Sequence, residues 1–336
     1  MKTVKALLLF SGGLDSSLAA KLLTEQGVDT TALCFVSNFF NAEKAKEMAE
    51  KLNFKLRIEN ISEDELNLVK NPPNGYGKNM NPCIDCHTMM IKKAGEIAKG
   101  EGFDFIATGE VLGQRPFSQN RQALMRVAEL AGVEVLRPLS AKNLEETEIE
   151  KKGLVRRGPL KAIKGRQREA QLALAKRFKI KDFPSPSGGC ILTDQKYSER
   201  FMKMLDYWPK CGVDDVSLLS LGRVFWLNDK SNNKILLIIG RNHEENEALK
   251  KLAKKGDIMV ELKEINGPTA LIRGGYVFEL KNKEFELDIP EKLKMSVLNL
   301  PEIKESSQIF NIAAKMTGYY SLKARNKKVK LIFKII

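Results

Sequence analysis

The chain has 336 residues, 43% of them hydrophobic and 29% charged, which suits two or three domains with real cores and excludes a disordered or fibrous protein. Lys and Arg number 56 against 42 Asp and Glu, and the resulting charge of +14 suits a polyanionic partner, although a Lys/Glu-rich surface reaches similar totals. An odd count of five cysteines argues against a disulfide framework, and His87 and His243 alone cannot build a histidine-rich metal site.

The first ten residues, Met1–Phe10, have a charged start and a short apolar core. Ser11-Gly12-Gly13-Leu14-Asp15 follows as a turn, where a leader peptide would carry small residues for cleavage. We therefore read Val4–Phe10 as a first strand. No apolar run nears the roughly 20 residues that span a bilayer, so the expectation is a soluble, cytoplasmic protein without a membrane partner.

Alternation then sets the pattern. Ser16–Gln26 has helical spacing and stops at Gly27, Thr30–Val36 reads as a buried strand, Ala42–Leu52 as a helix and Lys55–Ile58 as a short strand. Asn71–Asn81 reads as a loop, Ile91–Lys99 as a helix and Phe103–Ala107 as another buried strand. This order predicts an α/β fold with a doubly wound parallel sheet. Arg166–Arg177 is the one clear helix of the basic stretch. After Cys190 the texture changes to short strand candidates, Ser217–Val224, Lys234–Ile239, Asp257–Glu261 and Tyr276–Glu279, around a helix at Glu244–Lys254. We expect a first domain over 1–205, a boundary near 205–215, and a smaller α+β domain over 215–336.

The charge is unevenly spread. Residues 151–182 hold twelve basic and two acidic residues, and residues 318–336 hold six basic residues and no acidic one. Two separate concentrations favour nucleic acid over a solvated helix face, and Arg156, Arg157, Lys164, Arg166 and Arg168 are the expected RNA contacts.

Between the first strand and the first helix stands Ser11-Gly12-Gly13-Leu14-Asp15-Ser16-Ser17. The glycines allow a sharp turn and close approach of a ligand, and backbone N–H groups at a helix start favour an anion. Asp15 in a phosphate nest is repulsive unless a divalent cation lies between, which points to Mg²⁺. The plainer alternative is a glycine turn with a helix cap. The run resembles the SGGxDS signature of the PP-loop ATP pyrophosphatases. That resemblance implies a Rossmann-like fold, cleavage of ATP to AMP and pyrophosphate, ATP binding by Ser11, Gly12, Gly13, Asp15, Ser16 and Ser17, and Phe35 beside the adenine.

Asn81-Pro82-Cys83-Ile84-Asp85-Cys86 places two thiols at a spacing that lets them share a metal or exchange as a dithiol, and Ser185-Pro186-Ser187-Gly188-Gly189-Cys190 places a third in a segment expected to be flexible. Together with the loop, these residues resemble the tRNA-thiolating PP-loop enzymes of the MnmA/TrmU type. The resemblance implies delivery of sulfur by Cys83, Cys86 and Cys190. Two routes stay open: a [4Fe–4S] cluster on the three thiols, or a persulfide on Cys190. Ile106-Ala107-Thr108-Gly109-Glu110 is similar to the nucleotide-pocket motif Ala-Thr-Gly-His of thiouridylases, which implies ATP contacts at Thr108 and Gly109 and leaves Glu110 as a departure. Gly113–Gln119 is a polar loop expected beside the substrate. Leu221-Gly222-Arg223, Ile239–Asn246 and Asn311–Lys330 resemble the NFACT-R RNA-binding module. Cys34 reads as a packing residue and Cys211 receives no role.

The reading is an ATP-dependent tRNA sulfurtransferase that adenylates a uracil carbonyl oxygen and replaces it with sulfur. Its expected partners are tRNA and a sulfur donor (sulfide or a persulfide carrier protein), with a homodimer allowed. The alternatives are a PP-loop sulfurtransferase or amide-forming enzyme acting on a small molecule, and a nucleotide-regulated RNA-binding protein without turnover.

Overall fold

The computed structural model describes residues 3–183, 189–228, 233–274, 283–292 and 306–336. The chain divides into a first unit, Met1–Ser198, and a second, Glu199–Ile336, so the division falls a little before the expected 205–215.

The first unit is built on five parallel strands: β1 (Lys5–Leu9), β2 (Asp29–Val36), β3 (Leu56–Asn60), β4 (Phe105–Thr108) and β5 (Val135–Leu136), in the order β3-β2-β1-β4-β5. Strand β1 is buried on both faces, which is why it reads as a continuous apolar run rather than an alternation. Leu8 joins the cluster under α1 (Leu14–Thr24), with Leu18, Leu22 and Leu23, while Leu7 packs on the opposite face with Leu33, Ile91 and Ile106. The order turns back at β1, between β2 and β4, and a ligand crevice forms outside the strand ends at such a point. Helix α2 spans Glu43–Leu52, α3 Ser62–Lys70, α4 Cys83–Glu101 and α5 Arg121–Ala131. The expected helix Ile91–Lys99 is thus the second half of α4, whose first turn carries the CxxC. A short α6 (Glu148–Lys151) and α7 (Glu169–Arg177) follow, α7 starting three residues later than expected.

The second unit holds α8 (Gln195–Tyr207, which begins in the first unit), α9 (Val213–Ser217), β6 (Arg223–Asn228), β7 (Lys234–Ile239), α10 (His243–Leu252), β8 (Ile258–Leu262), β9 (Ala270–Arg273), β10 (Lys283–Asp288), α11 (Ser306–Tyr319) and β11 (Lys328–Ile335). Its sheet is antiparallel in the order β10-β11-β8-β9-β7-β6. The strand expected at Ser217–Val224 begins only at Arg223. Residues before it wind into α9 and a 3₁₀ turn, because Asp215 accepts the Gly212 N–H and caps that short helix. The strand candidate Tyr276–Glu279 lies outside the described residues. Among the described residues no helix is long and apolar enough to cross a membrane.

Candidate active site

Four segments meet at the carboxyl ends of β1 and β4. Gly13 caps α1 without any side-chain hydrogen bond, and the Ser16 and Ser17 hydroxyls donate back to the Gly13 carbonyl, at 2.9 and 3.0 Å. The hydroxyls therefore do not cap the helix, and the simple glycine-turn reading of this run loses its main support. Gly12 has φ +71°, and a Cβ there would come within 2.3 Å of the Lys44 carbonyl at the start of α2. A Cβ on Gly109 would lie 2.5 Å from the Ser16 nitrogen, so the Thr108-Gly109 turn packs directly on the loop. Only glycine allows either approach.

Asp15 accepts from Gln114 Nε2 at 2.9 Å through Oδ2, while its buried Oδ1 has no hydrogen-bond partner. A carboxylate with one oxygen waiting fits a hard divalent cation such as Mg²⁺. Phe35 is buried in the core with Leu7, Leu33 and Ile61, and Val36 and Ser37 are the half-buried residues that follow it. Thr108 is buried and donates to Glu110 Oε2 at 3.0 Å.

Glu110, the departure from the thiouridylase pattern, is the hub beneath the site. His87 Nδ1 lies 3.0 Å from its Oε1, and Arg137 Nε donates to Oε2 at 3.0 Å. Burial opposes its ionisation, but the Arg137 charge and the His87 and Arg137 hydrogen bonds prevail and hold the carboxyl at about 2. Because its folded value lies below the unfolded one, near 4.5, the stabilisation from this group is complete above that pH. It is lost as pH falls through about 4.5 towards 2. Replacing Glu110 by Ala leaves Arg137 buried and unpaired, so urea unfolding should show the first unit weakened by roughly 3–5 kcal/mol. An unchanged unfolding midpoint would remove the hub role.

The cysteine loop is folded onto the first turn of α4. Asn74 donates to Asp85 through its backbone N–H (3.0 Å) and its side chain (2.5 Å), and Cys83 Sγ donates to Asn81 Oδ1 at 2.7 Å. Cys86, buried, donates to Glu65 Oε1 on α3 at 3.3 Å. Cys190 is held where the Ile191 N–H donates to the Phe39 carbonyl at 3.0 Å and Asn79 Nδ2 to the Thr193 carbonyl at 2.8 Å. Charge on Cys190 and Cys83 reaches Cys86, and charge on Cys83 reaches Cys190. Burial pushes Cys86 well up, with Glu65, Cys190 and Cys83 adding to the rise. Burial pushes Cys190 up to about 12, the Leu192 backbone opposing, and charge on Glu65 and Cys83 raises it further while Arg115 lowers it. Burial also raises Cys83, against the Arg115 charge. None of the three is in a disulfide. Among the described residues no group of three or more His, Cys, Asp or Glu side chains is placed to hold a metal ion, so the three thiols as they stand do not form a ready metal site. Residues 184–188, which include most of the segment expected to be flexible, lie outside the described residues, while Gly189 and Cys190 are within them.

The basic stretch divides by role. Arg156, Lys164 and Arg166 are exposed. Arg157 is a brace, not a free contact: Nη1 donates to the buried Glu150 at 2.6 Å, and Nη2 to the Ala141 and Leu144 carbonyls at 3.0 Å each. Its expected RNA contact is thereby corrected, since the acidic run just upstream supplies the partner. Arg168 is half-buried at the start of α7. Cys34 is a packing residue in β2, where burial pushes its thiol up to about 11.

Sequence reasoning missed Glu65, Arg137 and the pairing of Gln114 with Asp15. Glu65 carries a faint signal: it falls on the stripe Ile61, Ser62, Leu66 and Val69 that α3 buries, although it sits in an acidic first turn that resembles ordinary dipole compensation.

Residues 2–152 match the ThiI family (thiamine biosynthesis protein), and residues 222–288 match the NFACT protein RNA binding domain. The match to the NFACT domain ends before Asn311–Lys330, the last segment of the expected resemblance. A protein named probable tRNA sulfurtransferase from Anoxybacillus flavithermus is 32% identical over 154 residues, covering 43% of this chain and 37% of that protein. One of the same name from Thermococcus kodakarensis is 30% identical over 151 residues, covering 42% and 38%. The chain thus spans less than two fifths of the length of these curated relatives. A solved 4-thiouridine synthetase in complex with RNA and ATP aligns at 22% identity and TM-score 0.35, over 53% of this chain and 52% of that one.

Proposed function

We propose that the protein is an ATP-dependent tRNA sulfurtransferase that makes thiouridine. One observation carries this reading: neighbouring residues of one loop serve both halves of the site, Gln114 bonding Asp15 of the nucleotide loop while the Arg115 charge reaches the Cys83 and Cys190 thiols. A uracil oxygen is a poor leaving group. The match of residues 2–152 to the ThiI family and the relatives named tRNA sulfurtransferase support sulfur transfer to tRNA. The remedy we infer is to adenylate that oxygen so that AMP departs when sulfur attacks the same carbon. Ser11–Ser17 would cradle the phosphates through the loop backbone, and Asp15 would hold Mg²⁺ against them. Thr108 and Gly109 would wall the nucleotide pocket, and the uridine would have to leave its stack to enter.

For the sulfur, both routes stay open, since the described residues present no ready metal-holding group and the thiols are buried or half-buried. Buried thiols raised as far as about 12 make weak free nucleophiles at neutral pH, whereas binding to iron removes their protons. On the cluster route Cys83, Cys86 and Cys190 would have to close up around a [4Fe–4S] cluster, which when bound would supply a site for sulfide; on the persulfide route Cys190 would carry the sulfur. Residues Glu110 and His87 keep the α4 turn that bears two of these thiols registered on the β4 end, beside the loop. Protein purified without oxygen should be brown and carry close to four irons per chain; colourless, iron-free protein would transfer the reading to a persulfide.

For tRNA, Arg156, Lys164, Arg166 and Arg168 of the first unit are the proposed contacts. In the second unit Arg223 lies over the Tyr320 ring at 4.3 Å and Arg325 over Tyr319 at 4.4 Å, two guanidinium groups held rigid beside the basic end segment. Neutralising about four phosphates should weaken tRNA binding about 100-fold between roughly 50 and 200 mM salt. Removing residues from 215 onward should lower tRNA affinity more than ATP affinity. A salt-independent affinity would contradict the basic-surface assignment.

A further inference from the structure

The loop between β4 and α5 inverts the usual disposition of side chains. Ser118 and Gln119 are buried, whereas Phe117 is 74% exposed, more than any other aromatic ring among the described residues. The ring does not sit on a loose tip. The Gly113 N–H donates to the Gln119 carbonyl at 2.6 Å and the Gln119 N–H to the Arg115 carbonyl at 2.9 Å, which closes the loop on itself. Asn120 Nδ2 donates to the Pro116 carbonyl at 2.7 Å, while its Oδ1 caps α5 by accepting the Ala123 N–H at 2.8 Å. Pro116 fixes the backbone just ahead of the ring. A lone exposed ring is ordinary on a protein surface, but this one is set apart by its position. Three residues before it, Gln114 bonds Asp15 of the nucleotide loop at 2.9 Å, so the ring stands at the rim of the proposed adenylation site. At the foot of the same loop the Gly165 N–H donates to the Leu112 carbonyl at 2.7 Å, and Leu112 and Lys164 pair as a parallel bridge. Ser140 Oγ ties the two segments, accepting the Leu112 N–H at 2.9 Å and donating to the Ile163 carbonyl at 2.7 Å. The exposed Lys164 and Arg166 thereby flank the loop that carries Phe117. Residues 111–128 and 151–168 contain no Asp or Glu, so neither stretch repels a phosphate backbone.

We propose that Phe117 is a wedge for tRNA: its ring enters the base stack beside the target uridine and fills the gap left when that uridine swings into the site. This rests on the tRNA sulfurtransferase reading above. The uridine must leave its stack to reach the nucleotide loop, and unstacking is costly unless another flat group takes its place. A ring lining the pocket would be shielded and would stack on the uridine itself. Phe117 projects outside the pocket, so it meets the bases the uridine leaves behind. Lys164 and Arg166 position the RNA by its phosphates, which carry no sequence information. Every base offers a π-face, so the wedge requires no particular sequence around its target.

The test compares the wild-type protein with Phe117→Ala and Phe117→Trp, using tRNA from a strain lacking this protein. An exposed ring can be replaced without unfolding the chain, which circular dichroism and an unchanged ATP affinity verify. Pyrophosphate release at saturating tRNA and ATP should fall about 5–150-fold in Phe117→Ala, the range for one lost base–aromatic stack, and Phe117→Trp should restore it. Adding tRNA should also quench the emission of the introduced indole, read as the difference from the wild-type protein with its Trp208 and Trp226. A weaker tRNA affinity with an unchanged rate at saturation would make Phe117 a plain contact and overturn the wedge. So would an unquenched indole, or a Phe117→Trp rate as low as that of Phe117→Ala. Equal tRNA-dependent release in all three proteins overturns the wedge and leaves the sulfurtransferase reading standing. Wild-type protein that releases no pyrophosphate with tRNA overturns both.

Discussion

Asp15→Ala should reduce tRNA-dependent release of AMP and pyrophosphate by about 10²–10³-fold, the usual consequence of losing one well-placed stabiliser of developing charge. Affinity for tRNA should hardly change, because the exposed arginines and lysines proposed to bind RNA lie elsewhere. The reason is local. Asp15 has one oxygen bonded to Gln114 and the other buried and unpartnered, in a loop whose remaining polar groups are backbone N–H and hydroxyls. A cation bridging Asp15 to the phosphates completes that arrangement, and alanine leaves the nest without it. Asp15→Asn keeps the Gln114 contact but removes the charge, so it should fall nearly as far. Pyrophosphate release at the wild-type rate in both variants would remove the nucleotide assignment.

Cys190→Ser should abolish thiolation while ATP binding and pyrophosphate release survive. Cys190 is about a hundred residues from the CxxC, yet charge couples it to Cys86 and Cys83. A serine there cannot replace a thiolate on iron, so the variant should lose its colour and much of its iron. Serine at Cys83 or Cys86 should do the same, since the three act as one ligand set. If instead the wild type lacks iron and only Cys190 is indispensable, the thiols act as a persulfide carrier and resolving partners.

The parallel sheet and its switch point were legible because β1, β2 and β4 are buried runs separated by helix-period segments and glycine stops. Phosphate-loop chemistry is local in sequence, which is why Ser11–Ser17 could be read directly. Much less could be read of the interactions that cross the fold. Glu110 differs from the pattern it resembles, and only its contacts with His87 on α4 and Arg137 after β5 show that it braces the site. Arg157 looked like a free cation until Glu150, seven residues away, proved to be its partner. Glu65 is indistinguishable in sequence from its acidic neighbours Glu63 and Asp64, because the property that sets it apart is burial against Cys86. In the second unit, Ser217–Leu221 has strand-like composition, but the Asp215 cap starts a helical turn just ahead of it.

The most direct test of the central claim is mass spectrometry of tRNA nucleosides from a strain lacking this protein. The account predicts that one thiouridine disappears, that its unmodified uridine takes its place, and that the wild-type chain restores it whereas Asp15→Ala and Cys190→Ser do not. A nucleoside profile with every thiouridine at its normal level would contradict it.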